Sequence, residues 1–212
     1  MFRTKRARIR AIALTGSLAA AAATIGAVSF NASAAETTPA APVAPAAAAP
    51  ITPANAVAPA TSAIPSLIQP PAGSRPVGAY LVTSGTQDYT CVVPAGATSG
   101  AFTGASTPEA QLLGTGGRIH HFAGPSWQST RDKSLVTATK VEASPRTGTI
   151  PELLLKVATH TGKGVLTKAD YINRLYTSGG VAPTTACTAG QVVKVPYKAL
   201  YVFWDAPAAP AA

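Results

Sequence analysis

From Gly73 onward the apolar positions fall in short runs, many of them β-branched or aromatic, separated by clusters of Gly, Pro, Ser and Thr. This is the pattern of strands punctuated by turns. The clearest run spans residues 191–205. Val193, Val195, Tyr197, Ala199, Tyr201 and Phe203 alternate there with a second face that carries Lys194 and Lys198 and then turns apolar at Leu200, Val202 and Trp204. One face of this strand is expected in the core, with burial on both faces towards its end. Pro196 lacks an N–H, which places the first half at an edge or a bulge. Further strands are expected at residues 77–83, 87–93, 111–114, 119–122, 135–141, 153–160 and 172–177. Residues 168–175 have an alternative reading as one or two helical turns, with Asp170, Asn173 and Arg174 on one polar surface. The class is mainly β, and a single β-sandwich or partly open β-barrel suits a domain over residues 73–206.

The N-terminal third obeys different rules. Arg3, Lys5, Arg6, Arg8 and Arg10 precede twenty uncharged residues and the small-residue run Ala32-Ser33-Ala34, as in an export signal with cleavage after about Ala34. Residues 1–34 are therefore expected to be a signal peptide and the mature protein to be secreted, with no membrane span after cleavage. Residues 35–72 are dominated by Ala, Pro, Val and Thr. Repeated prolines remove donors and favour extended geometry, so this stretch is expected to be a linker, as is the Ala/Pro tail at 207–212.

Composition sharpens this division. The chain has 212 residues and is 47% hydrophobic, but 25 of its 45 alanines lie in the first 72 positions, so hydropathy overstates the core. The formal charge of +9 comes from 17 basic and 8 acidic residues. Removing the five basic residues of the leader leaves 12 against 8, or +4. With no basic cluster or stripe, nucleic-acid binding is not expected. Cys91 and Cys187 are the two cysteines. In an exported chain such a pair is expected to form one structural disulfide.

The most suggestive chemistry lies in His120-His121-Phe122-Ala123-Gly124-Pro125-Ser126-Trp127, followed by Asp132 and Ser134. Adjacent histidines in a strand point to opposite faces, so a metal site would need His160 or Asp132 brought in by the fold, and the spacing matches no ligand pattern. No metal and no cofactor are expected. A hydrolase built on Ser126 or Ser134 with His121 and Asp132 lacks a nucleophile-elbow motif. The Gly114-Thr115-Gly116-Gly117 run has Ile119 where a dinucleotide loop needs its third glycine. Trp127, Tyr171, Tyr176 and Trp204 are candidate members of an aromatic binding platform, or of the core.

Further strings carry a resemblance. Gly85-Thr86-Gln87-Asp88-Tyr89-Thr90-Cys91 and His121 to Trp127 with Asp132 and Ser134 come first. In order there follow Ile150-Pro151, Leu153-Leu154-Leu155, Ile172-Asn173-Arg174, Thr177-Ser178-Gly179-Gly180, Ala182-Pro183, Cys187 and the Val195-Pro196-Tyr197 to Phe203 strand. Over about residues 76–204 this pattern resembles the DUF3455 family of secreted bacterial and fungal proteins. The resemblance implies an extracellular β-rich domain of uncharacterised function. Some relatives carry dehydrogenase names, which the absence of a dinucleotide motif here contradicts. Two positions depart from the family pattern: Glu152, where tryptophan is frequent, and Lys133, where glycine is frequent.

The expected function is a non-enzymatic secreted module that binds an envelope or extracellular polymer, such as a glycan, or a protein. Trp127, Tyr171 and Tyr176 are its candidate binding residues. The alternative is a secreted hydrolase or metal-dependent enzyme using His121 and Asp132 with support from Arg174.

Overall fold

The computed structural model describes residues 56–103 and 106–208. The expected signal peptide, residues 35–55 of the expected linker and residues 209–212 of the tail lie outside the described residues.

Ten strands follow in chain order: β1 (Arg75–Thr90), β2 (Gly100–Ala101), β3 (Thr107–Gly114), β4 (Gly117–Phe122), β5 (Ser126–Ser129), β6 (Leu135–Ser144), β7 (Glu152–Thr161), β8 (Tyr171–Gly179), β9 (Ala186–Cys187) and β10 (Val192–Asp205). Eight of them close into one antiparallel barrel in the order β1-β10-β8-β7-β6-β5-β4-β3, while β2 and β9 form a separate two-stranded ladder. The mainly β class and the single disulfide are as expected, and a closed barrel takes the place left open between a sandwich and a partly open barrel. Closure leaves no long unpaired edge. It requires strong local bending, which register shifts supply in β1 between Leu81 and Thr86 and in β6 between Thr137 and Ala138 and between Lys140 and Glu142. The first of these merges the two strands expected at 77–83 and 87–93 into one. The helical reading of 168–175 gives way to a turn followed by β8. Pro196 pairs with Thr86 beside the β1 shift, one residue beyond the point where β8 stops pairing with β10, so its missing N–H costs no ladder bond.

Strand alternation sorts the apolar residues into two layers. Tyr80, Leu112, Ile119, Trp127, Val136, Ile172, Tyr201 and Phe203 fill the interior. Leu166 and Ala169, from the loop between β7 and β8, are buried with them and plug the end of the barrel where β10 terminates. The other end carries the β4–β5 turn, the β6–β7 loop and the two long connections on either side of β2 and β9. The disulfide Cys91–Cys187 joins those connections, with Tyr89 and Phe102 packed around it.

The second apolar layer lies outside the barrel. Ala79, Leu154, Leu175, Leu200, Val202 and Trp204 face outward and are covered by Ala56, Ile64 and Ile68. The covering chain runs through two single-turn 3-10 helices, Thr61–Ala63 and Ser66–Ile68. Residues 56–72 therefore pack as a strap on the barrel and not as a spacer, so the folded unit begins before Gly73. Prolines 65, 70 and 71 suit a strap because an extended chain laid on a sheet face needs few backbone donors of its own. Asn173 fixes the strap in place. Its amide donates to Ile68 O (2.8 Å) and Leu153 O (3.0 Å), and its oxygen accepts from Trp204 Nε1 (2.9 Å). Burying Ile64 and Ile68 stabilises the strap by roughly 1.5–3 kcal/mol each.

Candidate functional site

The open end of the barrel contains a cavity of about 450 Å³. Gln87 and Tyr89 reach it from β1, His121 from β4, Trp127 from β5, Lys140 from β6, Leu153 and Leu155 from β7, Arg174 from β8 and Tyr201 from β10. Ser106, Pro108, Pro125, Ile150 and Pro151 form the rim. Eight-stranded barrels have interiors just wide enough to fill or to hold one small ligand. Here the plugged end is filled, and the mouth is the part left open.

The two histidines divide as alternation predicts. His120 points outward to Glu109 (2.7 Å), whereas His121 points inward and is 3% exposed. His121 and Trp127 are direct partners across β4 and β5, and their rings stack 4.2 Å apart at 6°, with Tyr201 edge-on to both. Nδ1 of His121 lies 2.9 Å from Ser126 O. A carbonyl only accepts, so Nδ1 carries the hydrogen and Nε2 carries a lone pair. Burial pushes the His121 pKa down to about 3 against the pull of the Ser126 carbonyl hydrogen bond, and the nearby positive charge of Arg174 acts in the same direction as burial. The imidazole is therefore neutral near pH 7.

Arg174 is anchored by Nε and Nη2, which both donate to Pro151 O (3.2 and 2.9 Å). Gln87 is 2% exposed. Its Oε1 accepts from the Ser106 hydroxyl, and Nε2 is buried against the Tyr197 phenol oxygen. Trp127 Nε1 is also buried, without an acceptor among the described residues. Among the described residues, no Asp or Glu lines the cavity.

Asp132 lies elsewhere. It caps the plugged end, accepting from Ser134 Oγ (2.6 Å), Ser134 N (3.0 Å) and Val165 N (3.1 Å). The Ser134 hydroxyl is the largest of the influences that bring its pKa down to about 2. Gly164 passes so close to this carboxylate that a Cβ would collide with it. The barrel therefore brings His121 and Arg174 to one cavity but does not bring Asp132 to His121. Ser126 presents its carbonyl to the imidazole and turns its hydroxyl to Ala123 O and Gly124 O. His160 is tied to Ala169 O (2.8 Å) at the plugged end. Among the described residues, no three His, Cys, Asp or Glu side chains gather so as to hold a metal ion.

The candidate aromatics also separate. Trp127 lies inside the mouth at 1% exposure, Tyr171 packs on the outer layer beneath the strap, and Tyr176 stands 43% exposed beside Arg146 and Glu152. They share no face. Trp204 is buried under the strap. Glu152, a departure from the family pattern, is structural: it pairs with Arg146 Nη1 (2.7 Å) and accepts from Tyr176 N (2.6 Å), where Tyr176 takes a left-handed φ of 51°. Lys133, the other departure, has a φ of 61°, the region glycine adopts freely. Sequence reasoning missed Gln87 and Lys140 at the mouth. Polar residues in a strand read as outward, and only the inward register of Tyr89, two positions on, could have flagged Gln87.

No helix among the described residues is long and apolar enough to cross a membrane. Comparison with curated proteins and with solved structures returns no match. A family model described as a protein of unknown function, DUF3455, matches residues 13–205. That match takes in the strap, all ten strands and every residue of the mouth, and this chain belongs to the DUF3455 family.

Proposed function

We propose that this domain is an exported, non-enzymatic binding module that takes a small organic ligand, or the end of a larger one, into the barrel mouth. The observation that carries this reading is the mouth cavity: about 450 Å³, walled by Trp127, Tyr201, Leu153 and Leu155, with Gln87, His121 and Arg174 among its polar lining. Apolar walls with sparse, placed polar groups are the usual composition of ligand sites, and barrel mouths are a usual location. Binding is favoured over catalysis because, among the described residues, His121 is oriented by the Ser126 carbonyl and not by a carboxylate, and makes no hydrogen bond to a hydroxyl. A base with a pKa near 3 is also a weak proton acceptor at neutral pH. The disulfide supports an oxidising, extracytoplasmic setting. A concave mouth suits a compact ligand better than the flat face of a polymer.

The test uses an anilinonaphthalene sulfonate dye as probe on the oxidised protein. One dye per chain, with enhanced fluorescence, is the expected result. Leu153→Trp, which fills the cavity from a partly exposed position, is expected to abolish it. Equal dye binding by the filled variant overturns the mouth as the site.

A further inference from the structure

The mouth holds an imbalance of hydrogen-bonding groups. Trp127 Nε1 is a buried donor without an acceptor among the described residues, and Gln87 Nε2 is buried against the Tyr197 phenol. Arg174 uses Nε and Nη2 on Pro151 O, and its Nη1 makes no hydrogen bond there either. The Gln87, Trp127 and Arg174 side chains line one cavity, Lys140 adds a second positive charge, and among the described residues no carboxylate lines it to neutralise either cation. Two cations in one cavity without a counter-charge call for a ligand that supplies anionic oxygens.

We infer that the ligand is a small organic acid, its carboxylate paired with the free Nη1 of Arg174 and its apolar body against Leu153, Leu155 and Tyr201. This rests on the mouth being the binding site. The head is anionic because Arg174 and Lys140 lack a counter-charge among the residues that line the cavity, and charge-assisted bonds from a guanidinium are the strong ones. The walls require the remainder to be apolar. An amine would be repelled by two cations, and a neutral amide or alcohol would leave the guanidinium without a counter-charge. A sulfonate or phosphate shares the anionic oxygens, and the experiment separates them from the carboxylate.

The test displaces the dye with a matched series on one phenylalkyl body: 4-phenylbutyrate, its amide, alcohol and amine, and the corresponding sulfonate and phosphate. The acid is expected to bind at least about tenfold more tightly than the amide or alcohol, in line with a charge-assisted hydrogen bond, and the amine to compete least. Arg174→Gln should erase the preference for acid over amide. Gln87→Glu, which keeps the side-chain shape and adds a negative charge, should weaken the acid and strengthen the amine, and so gives a second readout if loss of the Arg174–Pro151 contact disturbs folding. If the amide or amine displaces the dye from wild type as well as the acid does, while Leu153→Trp still blocks the dye, the organic-acid assignment falls and the mouth stands. A tenfold preference for sulfonate or phosphate also overturns the carboxylate. Dye binding that persists in Leu153→Trp removes the mouth reading and this inference together.

Discussion

Lowering the pH should destabilise this protein well before its carboxylates titrate, and His121 is the cause. In the folded barrel its pKa lies near 3 because the ring is buried against Trp127 and Tyr201, whereas an unfolded histidine titrates near about 6.5. Above that value the ring is neutral in both states and contributes no pH dependence. Below it, the unfolded chain takes up a proton that the folded chain refuses. Stability then falls by up to about 1.4 kcal/mol per pH unit, until the folded group also protonates. Between about pH 7.5 and about pH 5 the expected loss is about 2 kcal/mol. Asp132 works in a separate window. Its folded pKa is depressed to about 2, so its contribution is present above the ordinary carboxylate range and is lost only as the pH falls below it. The assay is urea unfolding across this interval for wild type and His121→Phe. Phenylalanine keeps a ring against Trp127 and removes the titration, so the difference in slope is the readout whatever the variant's baseline stability. Equal pH slopes in the two proteins would refute a buried, neutral His121.

Three other perturbations test separate parts of the fold. Ile68→Ala removes a side chain with no exposure from beneath the strap and should cost roughly 2–5 kcal/mol in chemical denaturation; a loss under about 0.5 kcal/mol would mean that residues 56–72 do not pack. Reducing Cys91–Cys187, which are separated by 96 positions, should cost about 4 to 5 kcal/mol by loop-closure entropy, read as a large fall in Tm under reductant; an unchanged Tm contradicts a structural role. Lys133→Gly relieves a left-handed backbone and should stabilise by about 0.5 to 1 kcal/mol once the unfolded-state entropy of glycine is counted; a destabilised variant contradicts that strain.

The elements of this fold were legible wherever alternation was clean. The 191–205 stretch announced both layers: Tyr197, Ala199, Tyr201 and Phe203 face the barrel interior, and the outward row of Leu200, Val202 and Trp204 is buried as well. The cover over that outer row was hidden, because Ile64 and Ile68 sit in a proline-rich run that reads as a spacer, and only long-range packing tells a strap from a linker. β5 was missed because Ser126-Trp127-Gln128-Ser129 has one apolar residue in four. Closure of the sheet was not legible either, since it depends on bulges whose positions the pattern does not mark. The candidate site was read in pieces. His121, Trp127 and Arg174 do meet at the mouth, but Asp132, near in sequence, is carried to the opposite end by one hairpin. Gln87 counts only because the closed barrel turns it inward to the cavity, a placement that exists only once the fold has formed.

The most direct test of the central claim compares the two tryptophan indole N–H resonances of the oxidised, 15N-labelled protein during titration with 4-phenylbutyrate. The Trp127 side chain lines the mouth, while Trp204 Nε1 is bonded to Asn173 beneath the strap, so the molecule contains its own control. A ligand carboxylate at the mouth predicts a saturable shift of the Trp127 resonance with Trp204 unmoved. A Trp127 resonance that stays in place while the ligand binds, or a pair that moves together, would contradict the mouth as the site where this family member takes its ligand.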